Sequence, residues 1–216
     1  MAFQGLGSRA PPEVVVERQV LLTGIGGQGL QLAAQVLAGA ALIEGRDVQL
    51  FGSYGGMMRG GNTDATLVVA DDRVESPPTV GSAWAALILH HEYAGPTLAR
   101  VRDGGVVFVN ATVWEGAIDR GRHRVVEVAA SDLAADAGNV LAAAMVMLGA
   151  LCTATRLVSL EALRSGVHSK IPAYRTQHLD LNERALEIGT RALPGLIDDA
   201  WPTSEPTATE PVVVTR

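Results

Sequence analysis

The sequence has a single cysteine, Cys152, among 216 residues. One thiol cannot form a disulfide within the chain, and it is too few for a cysteine-ligated zinc site or an iron–sulfur cluster. Positive charge is also scarce, because 17 Lys and Arg residues stand against 23 Asp and Glu residues for a formal net charge of −6. Nucleic-acid binding depends on clustered Lys and Arg, so we expect no nucleic-acid partner.

Long apolar runs are absent as well. A membrane-spanning helix needs roughly 18 or more consecutive apolar residues, whereas the longest run here, residues 140–151, is shorter and contains Gly149. The first residues lack the charged start and apolar core of a secretory signal. We therefore expect a cytoplasmic protein that does not bind a membrane.

Aromatic residues make up only 4% of the chain, against 48% apolar residues overall, so Val, Ala and Leu must build the core. This composition is typical of a parallel sheet with helices on both faces. The pattern predicts strands at residues 20–23, 48–51, 63–69, 85–89 and 106–109, and helices at residues 29–43, 92–102, 132–163 and 182–193. The order predicts an α/β fold, a Rossmann-like doubly wound and mostly parallel sheet with a helical C-terminal layer. We expect one domain over residues 15–201 between flexible tails at residues 1–14 and 202–216.

A glycine-rich turn, here named the first glycine loop, joins the first predicted strand to the first predicted helix. It reads Gly24-Ile25-Gly26-Gly27-Gln28-Gly29 and has the spacing G-x-G-x-x-G. Its candidate ligand-binding residues are Gly24, Gly26, Gly27, Gln28 and Gly29. In such a turn glycine permits a tight bend, close approach of the backbone to a ligand, and close packing of helix on strand. The free N–H groups at the helix N-terminus favour an anion there. The alternative is a close-packed turn that binds no ligand.

A nicotinamide site needs one more residue, which the sequence does not supply. NAD is held by an Asp or Glu at the carboxyl end of the second strand, but the nearest acid, Asp47, stands before that strand begins. An NADP site could instead use Ser53 and Arg59 to bind the 2′-phosphate. A stand-alone NADP-binding dehydrogenase is therefore an alternative function.

A second glycine loop, residues 52–62, follows the second predicted strand. Its candidate ligand-binding residues are Ser53, Tyr54, Arg59, Gly60 and Gly61. Glycine allows positive φ angles, and Arg59 supplies a fixed cationic fork. Both loops follow strands and should lie at the crevice where α/β sheets bind ligands. A flexible loop with a solvated arginine is the alternative, but two such loops at consecutive strand ends favour a binding site or an interface.

Together the two glycine loops carry a family resemblance. The run "TGIGGQG", followed by "SYGGMMRGG" and a strand, resembles the gamma subunit or gamma domain of pyruvate and related 2-oxoacid:ferredoxin oxidoreductases, a group that includes indolepyruvate and phenylglyoxylate oxidoreductases. The resemblance continues in "ESPP", in "GNVLAAAMVMLGAL" and in a late Asn-x-x-Ala-Leu, and covers roughly residues 18–193. Many members have Glu two residues before the loop arginine, where this chain has Met57, so the role of that carboxylate does not carry over.

The resemblance implies a supporting part in a multi-subunit enzyme. The family oxidatively decarboxylates a 2-oxoacid on thiamine diphosphate held by Mg²⁺, passes electrons through iron–sulfur clusters and usually forms an acyl-CoA. This chain lacks both the Gly-Asp-Gly segment that holds Mg²⁺–diphosphate and the cysteines of a cluster. The implied partners are therefore thiamine-binding alpha and beta type subunits and a ferredoxin-like iron–sulfur subunit.

Within such a complex we expect no catalytic residue and no metal site in this chain. Gly26, Gly27 and Gly29 would present backbone N–H groups to a phosphate of coenzyme A (CoA), with Arg59 as the countercharge. Alternatively, both loops are buried between subunits, where glycine permits close backbone approach. A non-enzymatic assembly module with the same fold is a further alternative.

Other residues that could carry chemistry have simpler explanations. His90 and His91 are adjacent at a predicted strand end, where consecutive side chains point in different directions, so we expect a structural role. Cys152 should be an inert buried thiol in the Ala-rich helical segment. The remaining histidines are isolated and show no zinc-binding spacing: His123, His168 and His178.

Overall fold

The structure is a computed structural model that describes residues 15–54, 60–77, 79–172 and 174–202, with the backbone alone for Ser53 and Tyr54. Apart from Pro202, the predicted tails at residues 1–14 and 202–216 lie outside these ranges, so the domain limits stay a prediction. Within the described ranges, no helix is both long and apolar enough to cross a membrane.

Strands and helices alternate along the described chain. The strands are β1 (Glu17–Ile25), β2 (Asp47–Tyr54), β3 (Asn62–Ala70), β4 (Ala83–Ile88), β5 (Val101–Asn110) and β6 (Arg124–Val128). The α-helices are α1 (Leu30–Ile43), α2 (Ala94–Arg100), α3 (Ala130–Asp136), α4 (Ala143–Thr155), α5 (Leu160–Lys170) and α6 (Thr176–Arg191). Each of the predicted strands overlaps one of these strands.

The strands form a single sheet in the order β2-β3-β1-β4-β5-β6. β1, β4, β5 and β6 pair in parallel, whereas β3 is antiparallel to both β1 and β2. All strands except β3 therefore run in one direction, and the predicted α/β fold with a mostly parallel sheet is confirmed. The short connection between β2 and β3 explains the exception, because parallel neighbours need a crossover of a dozen or more residues.

Alternation along the strands divides the core into two layers. Val20 and Leu22 of β1 pack against a cluster that includes residues of α1, α4, α5 and α6, while Leu21 points to the other face, where Ala94 of α2 packs. The C-terminal helices thus lie on the same face as α1. The predicted helical C-terminal layer is confirmed.

The helical segment predicted at residues 132–163 is interrupted twice. Gly138 has a φ of 112°, and Asn139 caps a short 3-10 helix, Val140–Ala142, by accepting a hydrogen bond from a backbone amide. Ser159 caps α5 in the same way. Left-handed glycine and side-chain caps end and begin helices, so the segment becomes α3, α4 and α5.

Strand β6 has no counterpart among the predicted strands. It has 5 residues, and Arg124 and Glu127 are exposed on it. β6 is the edge strand beside β5 and is only partly buried. Its sequence therefore lacks the continuous apolar run that predicts a buried strand. Two helix boundaries also differ, because α2 ends at Arg100 before β5 begins, and α6 begins at Thr176 rather than residue 182.

Residues 197–201, here named the C-terminal strap, cross the amino ends of the strands. The Trp84 indole N–H of β4 donates to the Asp198 carboxylate over 2.8 Å. Arg124 of β6 donates to the same oxygen over 2.7 Å, and Arg18 of β1 donates to the Ala200 carbonyl over 2.7 Å. The strap therefore links three strands at the end of the sheet opposite the glycine loops.

Candidate functional site at the glycine loops

The first glycine loop lies where the sequence predicts it, between the carboxyl end of β1 and the start of α1. Gly29 is the N-cap of α1 with a φ of 76°, and Gly27 has a φ of 106°. Both values fall where L side chains are rarely found. Gly26 and Gly27 are exposed, whereas Gly24 is buried. The tip of the loop is therefore open to a ligand or a partner.

The Gln28 side chain folds back and hydrogen-bonds to backbone groups inside the loop and beside it. Its side-chain oxygen accepts a hydrogen bond from the Ile25 amide over 2.8 Å, and its nitrogen donates to the Leu89 carbonyl over 3.4 Å. A Cβ on Gly24 would lie 2.7 Å from that oxygen, which explains a glycine there. The buried Asn110 amide also donates to the Leu89 carbonyl, over 3.3 Å. Gln28, a predicted ligand-binding residue, thus has a structural role in this geometry.

The backbone amides of the loop do not all remain free. The Gly26 N–H donates to the Gly61 carbonyl over 2.9 Å, and the Gln28 N–H donates to the Ile25 carbonyl over 3.2 Å. The amides of Gly27 and Gly29 have no protein partner among the described residues. The expectation that Gly26 presents its N–H to a phosphate is therefore not met, because that amide already joins the second loop.

The second glycine loop is only partly described. Arg59 and Met57 lie outside the described residues, and the side chains of Ser53 and Tyr54 do too. Gly60 is exposed with a φ of 89°. The structure thus places Gly60 and Gly61 beside the first loop and leaves the predicted part of Arg59 untested.

A carboxylate that is not among the predicted site residues lies where the two loops meet. Asp64 of β3 accepts hydrogen bonds from the Thr23 hydroxyl over 2.5 Å and from the Asn62 side-chain amide over 2.7 Å. It also lines a surface groove of about 450 Å³ together with Thr66 and Phe51. The available signal was a charged residue within a predicted strand, at residues 63–69.

An exposed apolar surface borders the first loop. The Cβ position built on Gly29 lies 3.0 Å from the carbonyl oxygen of Leu141 in the short 3-10 helix. Val140 is 51% exposed and Leu141 is 56% exposed. Both residues belong to the segment "GNVLAAAMVMLGAL", which carries part of the family resemblance.

The paired histidines occupy structural positions. The His90 ring accepts a hydrogen bond from the Glu92 amide over 3.2 Å, and Nδ1 of His91 lies 2.7 Å from the Val113 carbonyl oxygen. Their rings stack with centroids 4.6 Å apart, so the expectation that the two side chains point in different directions is wrong, whereas each ring does hold a hydrogen bond to backbone. Within the described ranges, no group of three or more His, Cys, Asp or Glu side chains could hold a metal ion.

Asp47 lies at the amino end of β2. Both glycine loops lie at the opposite end of the sheet, where β1 and β2 have their carboxyl ends. Its carboxylate accepts hydrogen bonds from the amides of Val48 over 3.0 Å and Val74 over 2.9 Å. It therefore caps a strand and cannot reach a ribose at the glycine loops, as the sequence indicates.

The family model described as pyruvate ferredoxin/flavodoxin oxidoreductase matches residues 19–192. The chain belongs to this family. The resemblance inferred from the two glycine loops is confirmed, and the comparisons give no support to a stand-alone NADP-binding dehydrogenase.

Individual relatives agree with this assignment. The chain is 31% identical to ketoisovalerate oxidoreductase subunit VorA of Methanothermobacter thermautotrophicus over 175 residues, 80% of this chain and 36% of that protein. It is 31% identical to 2-oxoglutarate synthase subunit KorC of the same organism over 166 residues, 74% of this chain and 87% of that protein. The crystal structure of a keto/oxoacid ferredoxin oxidoreductase gamma subunit from Geobacter sulfurreducens matches with a TM-score of 0.69 and 29% identity, over 82% of this chain and 95% of that one.

The relatives are of two kinds, longer proteins that this chain matches in part and proteins of about its own length. The chain spans only 36% of the length of the VorA subunit but nearly the whole of the solved gamma subunit. In extent and fold it therefore corresponds to the gamma-type component of the pyruvate ferredoxin/flavodoxin oxidoreductase family.

Proposed function

We propose that the chain is the gamma subunit of a multi-subunit 2-oxoacid:acceptor oxidoreductase in the cytoplasm. The complex oxidatively decarboxylates a 2-oxoacid to acyl-CoA and CO₂ and passes two electrons to ferredoxin or another acceptor. Its other members are thiamine-binding alpha and beta type subunits and a ferredoxin-like iron–sulfur subunit. The relatives are named for different 2-oxoacids, ketoisovalerate and 2-oxoglutarate among them, so we assign the substrate as a class.

The observation that carries this proposal is the open first glycine loop in a chain of this family. Gly27 and Gly29 have amides without protein partners among the described residues, at the N-terminus of α1. Free N–H groups and the helix dipole favour a negatively charged group at this position. The phosphates of CoA are among the anions that the proposed reaction brings, and unlike the carboxylate of the 2-oxoacid they match the G-x-G-x-x-G turn, which is typical of phosphate binding. Ser53, Tyr54, Arg59, Gly60 and Gly61 complete the candidate binding surface.

The chain itself does not carry the redox chemistry in this proposal. Thiamine diphosphate supplies the carbanion chemistry and iron–sulfur clusters supply electron transfer when they are bound by the other subunits. The residues of this chain fit neither group. The sequence lacks the Gly-Asp-Gly segment that holds Mg²⁺–diphosphate, and its sole cysteine, Cys152, is buried in α4. Its part is to hold a phosphate and to pack against its partners.

The apolar surface beside the loop supports the packing role. Val140 and Leu141 expose more than half of their surface next to Gly29. Exposed apolar side chains grouped at a site favour contact with another protein. If a partner covers the loop itself, the glycines serve close approach, and CoA contacts other chains.

Purification of the tagged chain from its native host tests the proposal. The recovered material is assayed for thiamine diphosphate, iron and 2-oxoacid-dependent reduction of a viologen dye, with and without CoA. We expect co-purifying subunits and dye reduction that CoA stimulates. A monodisperse chain without partners, thiamine or iron would contradict it. Dye reduction that responds to the 2-oxoacid but not to CoA would remove the phosphate-binding role and leave the interface role.

A further inference from the structure

The two glycine loops are joined side by side through adjacent strands. β1 ends at Ile25, which pairs with Asn62 at the start of β3. One residue further on, the Gly26 amide donates to the Gly61 carbonyl over 2.9 Å. The hydrogen-bond ladder therefore continues past the strand ends into both loops, and a displacement of one loop is transmitted to the other.

Asp64 reinforces this junction from several sides. One carboxylate oxygen accepts from the Thr23 hydroxyl over 2.5 Å, and the other accepts from the Asn62 amide over 2.7 Å. The Asp64 backbone carbonyl accepts from the Gln31 side chain in the first turn of α1, over 2.9 Å. An ionised carboxylate only accepts, and hydrogen bonds to it are roughly twice as strong as neutral ones. Asp64 thus contacts the residue before the first loop, the last residue of the second, and α1.

The carboxylate is not needed to hold the two strands together. β1 and β3 pair without interruption from Glu17↔Ala70 to Ile25↔Asn62, and the Asp64 side chain acts only near the loop end of that ladder. Thr23 is fully buried, so water does not readily replace Asp64 as the acceptor of its hydroxyl. The effect of the carboxylate is therefore concentrated where the first loop begins and the second loop ends.

We propose that Asp64 is a positioning residue for the phosphate site at the first glycine loop. Through Thr23 and Asn62 it fixes that loop against residues 60–62, so that the Gly27 and Gly29 amides keep their direction. A site built from backbone N–H groups depends on that direction, because each N–H must point at the anion. The inference rests on the proposed function and adds the residue that orients its binding loop.

Matched substitutions in the full chain test the proposal. Thr23→Val removes the donor of the Thr23–Asp64 hydrogen bond, and Asp64→Ala removes its acceptor. Asp64→Asn keeps the shape of the side chain and part of its hydrogen bonding. Thr66→Val is the control, because Thr66 is a buried threonine on the same strand that lines the same groove as Asp64. Its hydroxyl has no hydrogen bond among the described residues. The probe is CoA itself, with the assembled complex assayed for KM and kcat.

We expect Thr23→Val and Asp64→Ala to raise the KM for CoA about tenfold, the factor that loss of one hydrogen bond to a charged group produces, with kcat changed less than about twofold. Asp64→Asn should restore part of the loss, and Thr66→Val should match the unsubstituted complex. Because one hydrogen bond is shared, the double variant Thr23→Val/Asp64→Ala should be no worse than Asp64→Ala.

Hydrogen exchange of the Gly26 amide in the full chain gives a readout that does not depend on activity. We expect about tenfold faster exchange in Thr23→Val and Asp64→Ala and no change in Thr66→Val. Exchange and CoA KM values equal to those of Thr66→Val would overturn the inference. If the unsubstituted complex reduces dye without responding to CoA, the proposed phosphate site fails, and the exchange rates still decide whether Asp64 orders the loop.

Discussion

Gly149 of α4 and Gly189 of α6 lie where the two helices meet backbone to backbone. A Cβ on Gly149 would overlap the carbonyl oxygen of Leu186, and a Cβ on Gly189 would overlap that of Val146. No flexible side chain lies at either point to move aside, and packed interiors leave no spare volume. The two glycines therefore set the distance between the helices of the C-terminal layer.

We expect Gly149→Ala to lower the free energy of unfolding by about 3 kcal/mol, because the added methyl group forces α4 and α6 apart. Gly39→Ala in α1 is the control, since its Cβ would lie at an ordinary 3.6 Å from the Ser169 hydroxyl. Alanine there should be neutral or stabilise by up to about 1 kcal/mol through helix propensity. Urea unfolding measures both. A Gly149→Ala chain as stable as the Gly39→Ala chain would show that the helices can separate at little cost.

The sequence could predict those features that depend on neighbouring residues. A strand, a glycine turn and a helix at residues 20–43 follow one another along the chain, and Gly45 ends that helix with a φ of 77°. Strand pairing is not local. The insertion of β3 between β1 and β2, and the contact of Gly149 with α6, join residues far apart in sequence and carry no pattern of their own.

The candidate site also combines features that are local in sequence with features that depend on strand pairing. The open glycines of the first loop are visible in the sequence, because positive φ and the strand–helix context are local properties. The occupation of the Gly26 amide by Gly61 depends on strand pairing, as does the position of Asp64 between Thr23 and Asn62. These contacts decide which amides stay free, and no spacing rule in the sequence specifies them.

Asp198 should make the stability of the chain depend on acid pH. Burial raises its pKa, but hydrogen bonds from Arg124 and Trp84 and the charges of Arg124 and Arg18 outweigh burial and hold the pKa below its usual value. A carboxyl whose pKa is lower in the folded chain stabilises the fold above its unfolded pKa, about 4. That contribution is lost as the pH falls through the folded pKa.

We therefore expect Asp198→Asn to lower the free energy of unfolding by about 1 kcal/mol at pH 7. The difference from the unsubstituted chain should shrink as the pH is lowered below about 4. Asp103→Asn is the control, because Asp103 pairs with Arg122 over 2.7 Å at a site where its side chain is 87% exposed. Exposed pairs contribute about 0.5 kcal/mol or less. A constant difference between Asp198→Asn and the unsubstituted chain from pH 7 down to pH 3 would contradict the prediction.

Cys152 should resist thiol reagents in the folded chain. Burial raises the pKa of its thiol to about 12, so the reactive thiolate is scarce at pH 8 and shielded from reagent. We expect labelling by Ellman's reagent to be slow in buffer and fast in urea. Ser165→Cys, at an exposed position of α5, is the control and should react at once in buffer. Equal rates for Cys152 in buffer and in urea would mean that α4 opens readily.

Gly27→Ala should weaken the response to CoA by more than its loss of stability explains. Gly27 has a φ of 106°, and no atom of the described residues lies within 4 Å of its Cβ position, so alanine adds backbone strain of about 1 to 3 kcal/mol rather than a clash with them. Relief of that strain turns the loop amides away from a bound phosphate.

Gly116→Ala is a closely matched control, because Gly116 has a φ of 109° in a different loop and likewise has no described atom within 4 Å of its Cβ position. We expect both variants to lose similar stability in urea, and only Gly27→Ala to raise the KM for CoA in the assembled complex, by about tenfold. Equal KM values for CoA in the two variants would show that the first glycine loop does not bind CoA. Close packing against a partner subunit would then be the reason for its glycines.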